Sequence, residues 1–219
     1  MKKQLPRKFP TLHSMITSAM SLLLFIGSCS KDSNSPGSAQ TTTNNLNIVY
    51  TDLISDSVIV SESRKLYNLD LNNDGIVDFV FAEFSSPVSN CRQSTGIRHA
   101  ILVKPASGSR NAMIYTLTNI IRPLDSLTII DANAALWSVD TFYHVFFTIT
   151  TGPAKRCNPN TGLWPNNEDN YLGLRFIKDD QTYYGWARLN RGIEGTSLTL
   201  KDYAYNNNPG KHIFAGQIK

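Results

Sequence analysis

Cysteine, histidine and charge are all scarce in this chain. Its 219 residues include three cysteines and four histidines, and charged residues make up 17%. No Cys-x-x-Cys or His-x-x-x-His spacing accompanies the cysteines, so a zinc site has no frame. There is no Gly-x-Ser-x-Gly elbow, no His-Glu-x-x-His and no glycine loop that could cradle a phosphate. His99, His144 and His212 lie far apart in sequence, and Glu62, Glu83, Glu168, Asp169 and Glu194 are scattered. A hydrolase needs a nucleophile beside a base, or paired carboxylates. The sequence shows no such spacing, and an enzyme is not expected. A basic patch with interleaved aromatics is missing too, which argues against nucleic acid as a partner. Amphipathic helices are also lacking.

What is present begins with an address. Lys2, Lys3, Arg7 and Lys8 precede an apolar run over residues 15–27, centred on Leu22-Leu23-Leu24-Phe25-Ile26. The run is too short for a comfortable membrane span and sits where a secretory apolar region belongs. It ends in Ile26-Gly27-Ser28-Cys29, which looks like a bacterial lipoprotein signal. On that reading residues 1–28 are removed and Cys29 is lipidated; a plain signal peptide or an anchor helix are the alternatives. The leader holds four of the 21 basic residues and no acid, so the remainder carries 17 basic against 17 acidic side chains. The pI near 8.9 therefore belongs largely to the leader.

Residues 30–45 contain no large apolar side chain. Such a stretch cannot bury enough surface to fold, and it reads as a disordered tether spanning about 20–25 Å. Residues 46–219 are then a single domain, long enough for one good core. Cys91 and Cys157 remain. In an oxidising compartment they can form one disulfide, closing about 66 residues and contributing roughly 4 kcal/mol on the chain-entropy model. The competing reading is two free thiols.

From residue 46 onward, short apolar runs alternate with Asn, Asp, Gly, Ser and Pro. Strands are predicted over 46–50, 57–60, 66–69, 76–84, 98–103, 127–130, 143–150, 171–177, 182–189 and 197–205, with one helical turn over 131–136. Tyr143, Val145, Phe147 and Ile149 are placed on one face of their strand, with His144, Phe146, Thr148 and Thr150 on the other. Strand 76–84 is apolar on both faces and should be central and covered. Lys178-Asp179-Asp180-Gln181 is read as a four-residue hairpin connection. The fold class is all-β, an antiparallel β-sandwich of jelly-roll type.

One stretch carries recognisable chemistry: Asp70-Leu71-Asn72-Asn73-Asp74-Gly75-Ile76-Val77-Asp78-Phe79. Oxygen-bearing side chains fall at alternate positions, Gly75 permits a sharp turn, and Asp78 follows. Calcium takes six to eight oxygens, and this spacing offers Asp70, Asn72, Asp74, the Ile76 carbonyl and Asp78, with water completing the shell. A solvated turn without metal is the plainer reading. The first nine positions resemble an EF-hand loop, but position twelve is Phe81 rather than a bidentate Glu, and β-branched and aromatic residues follow. The closer resemblance is to the DxNxDGxxDF loops of extracellular β-rich proteins, where the loop opens a strand and the ion is structural.

A wider resemblance rests on that loop together with Tyr171–Phe176, Tyr183-Tyr184-Gly185-Trp186-Ala187-Arg188-Leu189, Lys201–Tyr205 and Ala215-Gly216. In this order they are similar to uncharacterised exported lipoproteins of Bacteroidota type. The resemblance implies an exported all-β domain and no established activity. The function expected is a non-catalytic module of the cell envelope, lipid-anchored to the outer membrane on its periplasmic or surface side, with structural Ca2+. Its partners would be the membrane, through the lipid, and a glycan or another envelope protein. A carbohydrate-binding module is the alternative, with Trp164 in a Pro/Asn loop and Tyr171 as stacking residues and Trp137 behind them; a secreted hydrolase is a more distant one. Trp164 has a competing role, as a plug in the end of the sandwich.

Overall fold

The computed structural model describes residues 39–43, 47–60, 66–90, 94–134 and 136–219. All of them fall in one compact unit, Ser35–Lys219. Residues 1–28, Cys29 and Cys91 lie outside the described residues.

Among the described residues fourteen strands follow in chain order: β1 (Ala39–Thr43), β2 (Ile48–Val60), β3 (Leu66–Leu69), β4 (Phe79–Asn90), β5 (Ser94–Pro105), β6 (Ala112–Ile114), β7 (Ile129–Ile130), β8 (Trp137–Ser138), β9 (His144–Thr151), β10 (Thr161–Gly162), β11 (Asp169–Lys178), β12 (Gln181–Arg191), β13 (Ser197–Asn206) and β14 (Ile213–Phe214). They form a seven-stranded sheet ordered β1-β2-β13-β12-β11-β6-β8, a five-stranded sheet ordered β10-β9-β5-β4-β3, and a short β14-β7 ribbon. Every ladder between named strands is antiparallel. The two large sheets pack against each other as a β-sandwich.

Alternation explains the packing. In β4, Phe79 and Phe81 point inward, and in β5 Ile101 and Val103 do the same; all four have no exposed surface. They meet Leu172, Leu174 and Phe176 of β11 and Leu189 of β12 in the main core. Burying each such side chain contributes about 1.5–3 kcal/mol. β12 is buried on both faces. Its outward residues Tyr184 and Trp186 join Ile48, Ile114, Leu124, Ile130 and Ile213 in a second core on the far side of the seven-stranded sheet.

Several elements depart from the sequence expectation. Ala39–Thr43, within the stretch read as tether, is a strand paired with residues 49–53 of β2. Its run of β-branched threonines suits extended backbone, and the free edge of β2 accepts its hydrogen bonds. β2 is continuous from Ile48 to Val60 where two strands were predicted. The hairpin connection is only Asp179-Asp180, both with positive φ (49° and 57°). Two left-handed residues match the twist of the flanking strands, so the ladder runs to Lys178 and Gln181.

In β9 the alternation breaks: Phe146 and Phe147 are both fully buried, because the β5–β9 register shifts between Ile101 and Leu102. Residues 131–134 form bends and a turn rather than a helical turn; among the described residues the helical element is a 3-10 turn at Pro153–Arg156. The strand predicted over 76–84 begins at Phe79. It lies between β3 and β5 as expected, but its outer face is covered only in part: Ala82 is 5% exposed and Val80 half-buried, whereas Phe84 is 63% and neighbouring Leu66 65% exposed.

Candidate functional site

The acidic loop joins β3 to β4 at one end of the sandwich. Its side chains curl onto its own backbone. Asp70 accepts from the Asp74 N–H through Oδ1 (3.2 Å) and from the Gly75 N–H through Oδ2 (2.7 Å). Asn72 Oδ1 also accepts from the Asp74 N–H (3.1 Å), and Asp74 Oδ1 accepts from the Ile76 N–H (2.9 Å). Asn72 Nδ2 donates to Asp74 Oδ2 at 2.9 Å. Gly75 adopts φ 86° with open space where a Cβ would stand, so glycine is needed here for backbone freedom rather than for room.

Asp78 is placed differently. It is 6% exposed; Oδ2 accepts from the Leu71 N–H and Oδ1 from Asn111 Nδ2, both at 2.8 Å. Asn111 Oδ1 in turn accepts from the Ile177 N–H of β11 at 2.9 Å. One carboxylate and one amide therefore tie the loop to the opposite sheet. A second tie runs from Asn73, whose Oδ1 accepts from Tyr203 Oη of β13 at 3.3 Å. Burial pushes the Asp78 carboxyl up to about 6, with Asp70 and Asp74 adding to the rise against the lowering effect of the Leu71 and Asn111 hydrogen bonds. The same three carboxylates raise Tyr205, after burial and Tyr183. They share one electrostatic neighbourhood.

The residues fit a calcium ion in donor type and in order along the loop, and Asp78 fits least well. Its two oxygens face inward and already hold two donors, although each retains a lone pair. Among the described residues, no three or more His, Cys, Asp or Glu side chains gather into a group that could hold a metal.

The stacking residues take other roles. Trp164 is 1% exposed; it meets the Phe146 ring edge-on at 4.9 Å, and its carbonyl accepts from Arg191 Nη1 at 2.9 Å. This corrects the reading of Trp164 as a platform: the ring closes the main core. Tyr171 is half-buried, edge-on to Trp186 at 5.3 Å. It borders a small cavity of about 140 Å³ lined also by Tyr50, Trp186, Arg188 and Asp202. Trp137 is half-buried; its Nε1 donates to the Asp131 carbonyl at 3.0 Å, and the Arg175 guanidinium lies 5.3 Å from its ring centre.

One grouping was not legible in the sequence. Ser85 pairs across the strands with His99, and Glu83 lies two residues before Ser85 on the same face. Ser85 Oγ lies 2.7 Å from His99 Nδ1, Glu83 Oε1 lies 3.4 Å from that same nitrogen, and Ser85 also donates to Glu83. In a nucleophile–base–acid relay the serine and the acid address opposite ring nitrogens. Here both address Nδ1, a geometry that holds the ring in place. Only the strand register, which sequence spacing does not show, would have revealed it. His144 stands apart, its Nε2 2.8 Å from Ser138 Oγ and its pKa lowered by burial. His212 packs edge-on against Phe214.

Among the described residues no helix is long and apolar enough to cross a membrane. Comparison with protein-family models, with curated proteins and with solved structures returns no match for this chain.

Proposed function

We propose that this chain is an exported lipoprotein whose β-sandwich carries a structural calcium ion and serves as a non-catalytic binding or interaction module of the cell envelope. The observation behind the calcium reading is the curl of Asp70, Asn72 and Asp74 around the loop backbone above Asp78, whose carboxyl is raised to about 6 chiefly by burial, with repulsion from Asp70 and Asp74 adding to it. A divalent cation offsets that repulsion. Asp70, Asn72, Asp74 and the Ile76 carbonyl would hold it, with Asp78 contributing from beneath. Its role would be to fix the loop that ties β3 and β4 to β11 and β13.

Thermal melting tests this. Extracellular modules bind calcium at about 10⁻⁴–10⁻³ M, so 10 mM calcium should add roughly 1.4–2.7 kcal/mol, about 3–10 °C in Tm, with EDTA reversing the gain. A Tm that neither calcium nor EDTA moves sinks the calcium site.

The remaining parts of the reading rest on the leader and on β4–β5. Lipidation at Cys29 would place the domain at the outer membrane, on its periplasmic or surface side. A clickable palmitate analogue should label the chain and fail to label Cys29→Ala. A Cys91–Cys157 disulfide is supported by the approach of the β4–β5 hairpin to the turn bearing Cys157. A Cβ added at Gly96 would lie 2.9 Å from the Ala154 Cβ, and Arg98 Nη2 donates to Asn158 Oδ1 at 3.0 Å. Glycan capture is a weaker reading, because Trp164 is enclosed and Tyr171 is engaged with Trp186.

A further inference from the structure

A second feature lies apart from the acidic loop. A groove of about 430 Å³ runs between Tyr115, Leu117, Arg122, Leu136 and Leu163, with Thr116 and Thr118 at its margin. Its size falls in the range of small-molecule sites. The three leucines are 82%, 42% and 53% exposed in the order 117, 136, 163. Leucine at a turn tip is unusual, since turns favour Gly, Asn, Asp and Ser. This turn is also rigid. Thr116 N–H donates to the Ile120 carbonyl (2.8 Å), Asn119 N–H donates to the Thr116 carbonyl (3.2 Å), and the Thr116 and Thr118 hydroxyls pair at 3.0 Å. Asn119 N–H and carbonyl are not left loose either: the Val145 N–H donates to that carbonyl at 3.0 Å.

The opposite wall is held at a conformational cost. Leu136 has φ 47°, a region that leucine rarely adopts, and its carbonyl accepts from the Tyr115 N–H at 3.3 Å. Two walls therefore present leucine side chains to solvent from pinned backbone. Arg122, which also lines the groove, is exposed, and among the described residues it has no ion-pair partner. An apolar trough that includes an unpaired guanidinium in its lining complements an amphipathic anion, with an acyl chain along the leucines and a carboxylate at Arg122.

We propose that this groove binds a medium-chain fatty carboxylate. The proposal stands independently of calcium and of lipidation. The test uses the purified full chain and displacement of cis-parinaric acid fluorescence by dodecanoate. Saturable displacement is expected, with methyl dodecanoate at least threefold weaker because it lacks the charge that faces Arg122. Arg122→Gln should lower dodecanoate affinity about threefold to fivefold, the size of an exposed ion pair. Leu117→Glu, at an exposed turn position that should leave the fold intact, should lower it more than tenfold.

The ester comparison needs no variant and stands even if a substitution perturbs folding. Absence of saturable binding, equal affinity for acid and ester, or binding unchanged by Leu117→Glu would each overturn the proposal. So would concentration-dependent self-association abolished by Leu117→Glu, which would assign the groove to a second copy of the chain.

Discussion

Asp78 offers the sharpest handle on the loop. Its carboxyl titrates at about 6 in the fold against 3.8 in the unfolded chain. The folded state therefore binds more protons between those values, and stability falls as pH rises through them. The penalty of ionising Asp78 in the fold is about 1 kcal/mol at pH 4.5 and about 3 kcal/mol at pH 7.5. Other acids also titrate in this range, so the comparison should be made against Asp78→Asn, which removes the charge and costs one of the two accepted hydrogen bonds at every pH. Urea unfolding in EDTA at the two pH values supplies the four stabilities. The wild-type chain should lose about 2 kcal/mol relative to the variant between pH 4.5 and 7.5, or about 4–8 °C in Tm. Saturating calcium should shrink that loss, because the ion favours the ionised carboxylate. A gap between wild type and variant that stays constant with pH would refute the placement of Asp78 as a desolvated carboxylate crowded by Asp70 and Asp74.

Three further outcomes are expected. Trp164→Ala should cost about 3–5 kcal/mol in urea unfolding, because the ring closes the core against Phe146; a cost below about 1 kcal/mol would return Trp164 to the surface. Leu127 adopts φ 65° with its side chain 73% exposed, so Leu127→Asn should relieve about 1 kcal/mol of backbone strain and raise Tm by about 2–4 °C. Alkylation of the unfolded, unreduced chain should spare Cys91 and Cys157, and both should be modified after reduction; modification of either without reductant would dismiss the disulfide.

The sequence was most informative where the pattern is local. The alternation in 171–177 and 182–189 marked the β11–β12 hairpin, and the spacing of Asp70, Asn72 and Asp74 marked the loop before β4. What stayed hidden depends on distant partners. Asp78 turns inward because Asn111, 33 residues on, donates to it. Trp164 is enclosed because Phe146 and Arg191 come to it from other strands. The two buried phenylalanines of β9 follow from a register shift that neither strand announces alone. β6, β8 and β14 span three, two and two residues, too few for any periodicity. The paired left-handed aspartates at 179 and 180 carry no glycine to flag them.

The short strand ahead of the sandwich has a protective side. β1 covers only residues 49–53 of a β2 that runs thirteen residues. Were Ala39–Thr43 to peel away, residues 49–53 would join a margin of β2 that already carries exposed Ile54 and Val58 beyond the reach of β1, leaving a long unpaired ladder. Such a margin is a template on which a neighbouring chain can polymerise. Strand β1 thereby acts as a partial selvedge, shortening the length of fabric that one molecule leaves open for knitting to the next.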